Sequence, residues 1–354
     1  MAKKLKVGVA GFGISAKVFH VPFIQTNEAF ELNTVLERTK NESQQAFPQV
    51  KVVRTIDELV SDPALDLIVI TTPNDTHFDY AAKALRAGKH VALEKPFANS
   101  SAEALELIRI GKESGKIFSV YQNRRYVSDF LTIRQVLDQG LLGRVNEFNA
   151  FYDRYRLEAR PAAWREKPEP GSGILFDLGP HLIDQTIALF GLPAFITADI
   201  RMQRSHAKVD DYFNLWLDFG YTKAILHSGM LVREQGPRYL VHGEKGSFVK
   251  SGEDVQEAKL RAGELPGGPD WGREDSAFDG ILHTEIDGKV VRKTIPTLPG
   301  NYGQYYVNLY NAIVNGQPLT EKPEHGYNTI RLIELARQSQ AEKRTVECTG
   351  LLAV

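Results

Sequence analysis

Three side chains in this sequence have the chemistry of alcohol oxidation: Lys95 in the tripeptide Glu94-Lys95-Pro96, and Asp177 and His181 in the run Asp177-Leu178-Gly179-Pro180-His181. Removing hydrogen from a hydroxyl-bearing carbon requires a group that takes the hydroxyl proton and polar groups that orient the oxygen. Imidazole, ammonium and carboxylate side chains serve both purposes. Asp177 and His181 stand four residues apart, about one helical turn, so a helix entered there puts them on one face. Each also has a plainer reading. A lysine at a strand end is more often a surface charge, and an Asp four residues before a His is more often an N-cap beside a satisfied histidine. Lys95 precedes proline, which favours an extended or cis-bonded turn able to aim its side chain into a crevice.

A second constellation lies near the N-terminus, where residues 5–10 (LKVGVA) run into Gly11-Phe12-Gly13-Ile14-Ser15-Ala16. Gly11 allows a tight turn, Gly13 lets a pyrophosphate approach the backbone, and Ala16 permits close packing of a helix whose first N–H groups are free for an anion. A bare G-x-G-x-x-A is weak, but between a strand and a helix it reads as a dinucleotide loop, with Ile14 inside it. At the end of the next strand stand Glu37 and Arg38, with Lys40 nearby. A carboxylate there bonds a ribose diol and argues for NAD; an arginine meets a 2′-phosphate and argues for NADP if Glu37 turns away. The coenzyme stays open as NADP or NAD.

These groups need elements to hold them. Apolar runs at 32–36, 65–70, 90–93 and 117–121 alternate with helix-compatible stretches at 14–26, 57–60, 78–87 and 102–113, the signature of a doubly wound parallel sheet. Ligands collect over the carboxyl ends of such strands, so Thr72, Pro73, Asn74, His77, Glu94 and Lys95 are expected to face the nicotinamide half of a coenzyme. Past residue 122, alternating runs at 144–152, 194–202, 212–219, 223–232 and 238–242 predict antiparallel strands with one covered face. Helices are expected at 130–139, 181–190, 302–315 and 325–342, and an exposed loop at 263–272. The fold class is therefore α/β: a Rossmann domain over 1–122, then an α+β domain with an open, mostly antiparallel sheet over 123–354.

The 354 residues suit two domains, and 43 Lys plus Arg against 44 Asp plus Glu leave no basic field for a nucleic acid. No apolar run approaches the ~18 residues of a membrane span, and the N-terminus lacks a signal-peptide core. A lone cysteine, Cys348, excludes an internal disulfide and fits a cytoplasmic protein. His90, His206, His227, His242, His283 and His325 have no His, Cys or carboxylate neighbour at convincing metal-ligand spacing, so no metal is predicted.

The set G-x-G-x-x-A, Thr72-Pro73-Asn74-x-x-His77, Glu94-Lys95-Pro96 and Asp177-x-x-x-His181 resembles the Gfo/Idh/MocA family of glucose-fructose oxidoreductases and inositol dehydrogenases, over essentially the whole chain. The tracts 121–125, 130–132, 164–166, 177–185 and 239–243 are similar to its branch of NADP-dependent scyllo-inositol dehydrogenases, with Tyr126 where that branch has tryptophan. The resemblance implies an oligomerising outer sheet face (a dimer or tetramer), a catalytic Lys95, a substrate-orienting Asp177, and a His181 that acts as acid/base or polarises the hydroxyl. Of the last two roles for a proton, acceptance by His181 is favoured, with Lys95 as electrostatic partner or relay. It also places Tyr121, Asn123, Arg124, Tyr155, Arg156, Trp164, Arg165 and Tyr302 near the cleft, of which Tyr121, Asn123, Trp164 and Arg165 are the substrate-contact candidates. His20, just after the dinucleotide loop, has two readings: a contact to cofactor or substrate, or a helix residue that caps, packs or meets solvent. The expected activity is NAD(P)-dependent hydride exchange at a secondary alcohol of a cyclic polyol or sugar, the alternatives being an aldose substrate or a non-catalytic dinucleotide sensor on the same fold.

Overall fold

The computed structural model describes residues 3–159 and 166–354. Among these residues the strands make two sheets. The first contains β1 (Leu5–Ala10), β2 (Phe30–Leu36), β3 (Lys51–Val53), β4 (Leu67–Ile70), β5 (His90–Leu93) and β6 (Phe118–Val120), in the order β3-β2-β1-β4-β5-β6 with every pair parallel. Helices α1 (Val21–Thr26), α2 (Glu42–Ala46), α3 (Ile56–Val60), α4 (His77–Arg86) and α5 (Ser101–Ser114) make the crossovers. β4 is apolar and buried at all positions because helices cover both faces of the sheet. Strand order reverses between β1 and β4, which opens a crevice over their carboxyl ends. The helix after the glycine loop begins with a π-helical turn, Ala16–His20, that runs directly into α1.

The second sheet holds β7 (Val145–Phe151), β8 (Phe195–Arg201), β9 (Tyr212–Phe219), β10 (Thr222–Gly229), β11 (Tyr239–Gly243), β12 (Gly246–Lys250), β13 (Gly280–Ile286), β14 (Lys289–Ile295) and β15 (Val346–Glu347). Its order is β14-β13-β12-β11-β7-β10-β9-β8-β15, antiparallel except where β7 lies beside β10. In β9, Phe213, Leu215 and Leu217 are fully buried while Trp216 is exposed, the alternation expected of a sheet covered on one face. β14 escapes a periodicity reading because it is an edge strand rich in Lys and Arg, exposed at most positions. The remaining helices are α6 (Ser128–Asp138), α7 (Ile174–Asp177), α8 (Gly179–Phe190), α9 (Gln256–Arg261), α10 (Gly303–Asn315) and α11 (Pro323–Glu342).

The last two helices return to the first sheet. Tyr305 and Tyr306 of α10 pack with Tyr121, His20 and Phe30, and Glu334 of α11 accepts hydrogen bonds from the Ser101 N–H (2.7 Å) and hydroxyl (2.6 Å) at the start of α5. The chain after residue 122 is therefore not confined to the second sheet. Its closing helices brace the wall behind the crevice.

Candidate active site

Gly11 has φ 97°, and a Cβ there would press on Thr72 Cγ2 at 3.1 Å, so both backbone conformation and packing demand glycine. Gly13 differs: a Cβ built on it meets nothing within 4 Å. The protein leaves that space open, as a cradle for a pyrophosphate must, and Ile14 beside it is 64% exposed. Ala16 is fully buried under the sheet. These residues fit the phosphates of a dinucleotide.

At the end of β2 the structure departs from the expected placement of Glu37. Its carboxylate is buried and accepts the Glu42 N–H at 3.0 Å, the Ser43 N–H at 2.8 Å and the Ser43 hydroxyl, so it caps α2 instead of facing a ribose. Arg54 clasps the same loop from outside through the carbonyls of Glu37 (2.7 Å) and Lys40 (2.5 Å). Lys17 and Lys40 both hold Glu42, whose carboxyl their hydrogen bonds keep down at about 2. Arg38 is exposed and makes no ion pair or hydrogen bond among the described residues.

The turns after β4 and β5 were expected to face the coenzyme, yet most of their polar groups bind the protein itself. His77 is buried with Nδ1 2.8 Å from the Pro96 carbonyl and Nε2 3.0 Å from the Thr72 carbonyl, a strut between the two turns, and burial lowers its pKa. Asn74 donates to Asn99 Oδ1 at 2.7 Å and packs where a Cβ on Gly171 (φ 77°) would collide with its amide. Thr72 accepts from the Thr76 hydroxyl at 2.6 Å, whereas Pro73 is exposed at the crevice edge. Glu94 accepts from Ser15 and lies 3.0 Å from His20 Nε2, tying β5 to the π-helical turn. Burial pushes its carboxyl up, but the His20 and Ser15 bonds bring it below the ordinary range.

Lys95 follows, with a cis bond to Pro96. Its Nζ lies 3.0 Å from the Asp177 carbonyl and 3.4 Å from Asp177 Oδ1, joining the two halves of the chain across 82 positions. Asp177 ends α7, whose first N–H groups are capped by Asp210: the Ile174 N–H donates to its carbonyl and the Leu175 N–H to its carboxylate, both at 2.8 Å. His181, in the first turn of α8, is 5% exposed and its Nδ1 has no hydrogen-bond partner among the described residues. Burial, then the charges of Lys95, Arg124, Arg238 and Arg154, drive its pKa well below 6.5. It is a neutral imidazole in a cationic field.

Residues 5–122 match the oxidoreductase family's NAD-binding Rossmann fold, and residues 134–348 match that family's C-terminal alpha/beta domain. The chain belongs to the Gfo/Idh/MocA family. It is 41% identical over 342 residues to the scyllo-inositol 2-dehydrogenase (NADP(+)) IolW of Bacillus subtilis, covering 97% of this chain and 95% of that protein. The solved structure of Bacillus subtilis YvaA superposes with a TM-score of 0.95 at 40% identity, covering 98% and 99% of the two chains. A Bacteroides fragilis protein does so with a TM-score of 0.90 at 45% identity, covering 98% and 100%. With the Rossmann sheet described above, these make the protein an NAD(P)-dependent oxidoreductase of the Gfo/Idh/MocA family.

Around Lys95, Asp177 and His181, several expected wall residues bond to the protein itself. Tyr121 is 1% exposed, donates its hydroxyl to the Phe19 carbonyl at 2.7 Å and packs at a tilt against His20, so its hydroxyl is spent on the scaffold. His20 is wholly buried between Glu94 and the Tyr306 hydroxyl. Arg124 binds the Tyr302 hydroxyl (2.6 Å) and Glu257. Tyr155 is exposed under the Arg233 guanidinium, and Arg156 lies in the strand extension whose N–H bonds the Met230 carbonyl. Asn123 is buried and makes no side-chain hydrogen bond among the described residues. Trp164 and Arg165 lie outside the described residues. Two residues that the sequence reading did not select, Arg154 and Arg238, bear electrostatically on His181; Arg238 sits 3.8 Å over the Tyr152 ring. Only the spacing Arg154-Tyr155-Arg156 hinted at the first, and nothing local marks the second. Among the described residues no group of His, Cys, Asp and Glu could hold a metal, and no helix is long and apolar enough to cross a membrane.

Proposed function

We propose that this protein exchanges hydride between NADP and a secondary alcohol or its ketone on a cyclic polyol, with scyllo-inositol or a close relative as substrate. The observation that carries the reading is the convergence of Lys95 on Asp177 beside a buried, neutral His181. A bound nicotinamide coenzyme supplies the hydride exchange. The chain's own groups handle the oxygen and its proton. Asp177 orients Lys95, and the ammonium donates to the alkoxide oxygen as a ketone is reduced; in oxidation neutral Lys95 takes that proton back.

His181 is a poor place to rest a proton, since an imidazolium there would face Lys95 and three arginines. It instead offers its Nδ1, which has no hydrogen-bond partner among the described residues, as a hydrogen-bonding group for a substrate hydroxyl, a role suited to a polyol whose every hydroxyl needs a partner. This reverses the preference for His181 as proton acceptor. The named substrate of the 41%-identical relative and its NADP(+) dependence support the polyol and the coenzyme.

The test is nicotinamide absorbance with NAD and NADP separately, against scyllo-inositol, myo-inositol and common aldoses, with Lys95→Met as the blank. Lysine-dependent turnover of an inositol with NADP is expected. Coenzyme binding without turnover of any polyol would overturn the substrate reading.

A further inference from the structure

Coenzyme choice in a Rossmann fold is made at the end of the second strand, where a carboxylate bonds the ribose diol or a cation meets a 2′-phosphate. This chain has both groups side by side, Glu37 and Arg38, and its sequence does not decide between them. The loop is next to the dinucleotide turn, because the Gly11 N–H donates to the Leu36 carbonyl at 3.1 Å. Within it, the Glu37 carboxylate is buried on the Glu42 and Ser43 amides and the Ser43 hydroxyl. Arg54 pins the Glu37 and Lys40 carbonyls and Asn41 Oδ1 (2.5 Å), so the loop is held from two sides. Lys17 and Lys40 are matched to Glu42. Arg38, unlike Lys17, Lys40 and Arg54, is exposed and makes neither an ion pair nor a hydrogen bond among the described residues.

We infer that Glu37 is a positioning residue for coenzyme choice: with its carboxylate held by Glu42 and Ser43, it is kept off the ribose, and Arg38 is left to select a coenzyme carrying a 2′-phosphate. The inference rests on the NADP reading above. A carboxylate free at this position would do the opposite, bonding the diol of NAD and repelling a 2′-phosphate. The hold on Glu37 is thus the element that decides, and Ser43, which supplies two of its three donors, is the partner that controls it.

The experiment is a set of fluorescence titrations with NADPH and with NADH, which need no substrate, on the wild-type chain, Arg38→Gln, Ser43→Ala, Glu37→Gln and the Ser43→Ala/Glu37→Gln double variant, with Tm recorded for each. The wild-type chain is expected to bind NADPH at least tenfold more tightly than NADH, and Arg38→Gln to bring the two within about threefold, an electrostatic contact to phosphate being lost. Ser43→Ala loosens the cap and is expected to reduce the NADPH preference by about threefold to tenfold. Glu37→Gln keeps the preference within about twofold and cancels the effect of Ser43→Ala in the double variant, a coupling that a cycle isolates. A preference unchanged in Ser43→Ala, with only Tm lowered, would make the cap purely structural and overturn the inference. So would a Glu37→Gln shift of equal size with and without Ser43. Equal affinity of the wild-type chain for both coenzymes would instead sink the NADP reading itself, and the inference with it.

Discussion

The two ends of the crevice are assembled over very different lengths of chain. At the proposed coenzyme end, Gly11, Gly13, Glu37, Arg38, Ser43 and Arg54 come from the segments that follow the first three strands, α2 included. At the proposed reacting end, Lys95 meets Asp177 across 82 positions and His20 meets Tyr306 across 286. The coenzyme end is set by backbone: a positive φ, an open space over a glycine, amides capped by a carboxylate. The reacting end is set by field, because four cations from separate elements converge on one buried imidazole. A local change should therefore disable the first end cleanly, while the second should respond to substitutions well away from the reacting groups.

The sharpest break in that comparison is Gly13→Val. Because a Cβ at Gly13 meets no protein atom, the fold should keep its Tm within a few degrees while NADPH titration shows no saturable binding. Gly11→Ala should do the reverse in kind, lowering Tm because φ 97° strains any side chain by about 1–2 kcal/mol. If both variants lost stability alike, the open space over Gly13 would have no functional meaning.

Lys95→Met comes next in size. Turnover should fall by about 10²- to 10⁴-fold with NADPH affinity held within a few-fold, whereas His181→Gln, which keeps a hydrogen-bonding group, should cost clearly less and appear partly in KM. Single-turnover rates with a polyol decide the order. A His181→Gln loss as deep as that of Lys95→Met would return the proton to the histidine.

Arg125 and Asp184 test the claim that distant groups support the reacting end. The guanidinium makes two 2.7 Å bonds to the carboxylate, both residues are buried, and the pair ties the 3-10 turn Asn123–Tyr126 to α8, which carries His181. Asp184→Ala leaves a buried charge alone and should destabilise by about 3–5 kcal/mol in urea unfolding. The double variant Arg125→Met/Asp184→Leu should recover most of that loss.

The smallest effect is on pH. Burial, with Arg125 nearby, lowers His325 from 6.5 to about 4, so its contribution is complete above pH 6.5 and is lost as pH falls through about 4. Burial raises Glu321 from 4.5 to about 7, so its contribution is present below pH 4.5 and lost as pH rises through about 7. His325→Gln should flatten the fall of Tm between pH 6.5 and 4 by a few degrees, and Glu321→Gln the fall between 4.5 and 7. Identical Tm profiles for the variants and the parent would show that neither group titrates with folding.

Much of the scaffold was legible beforehand. The continuous apolar run at β4 and the alternation of β9 mark parallel and one-faced antiparallel sheets, since side-chain period follows directly from which faces are covered. β14 was not legible, because an exposed edge has no apolar face to show. At the site, Lys95, Asp177 and His181 could be singled out from their types and spacing. The inward anchoring of Tyr121 and His77 was not legible, because what holds them is the backbone carbonyls of Phe19, Thr72 and Pro96, which leave no trace in side-chain chemistry.

By itself the sequence determined the glycine turn, the period of the strands and the presence of a lysine, an aspartate and a histidine able to serve an alcohol, all of which depend on neighbours within a few residues. Only the tertiary structure decided that Glu37 caps α2 beside an Arg38 that has no partner among the described residues, and that burial and nearby cations lower the pKa of His181. A carboxylate's direction and an imidazole's charge are set by donors and fields that reach it through space, from whichever segments the fold brings close.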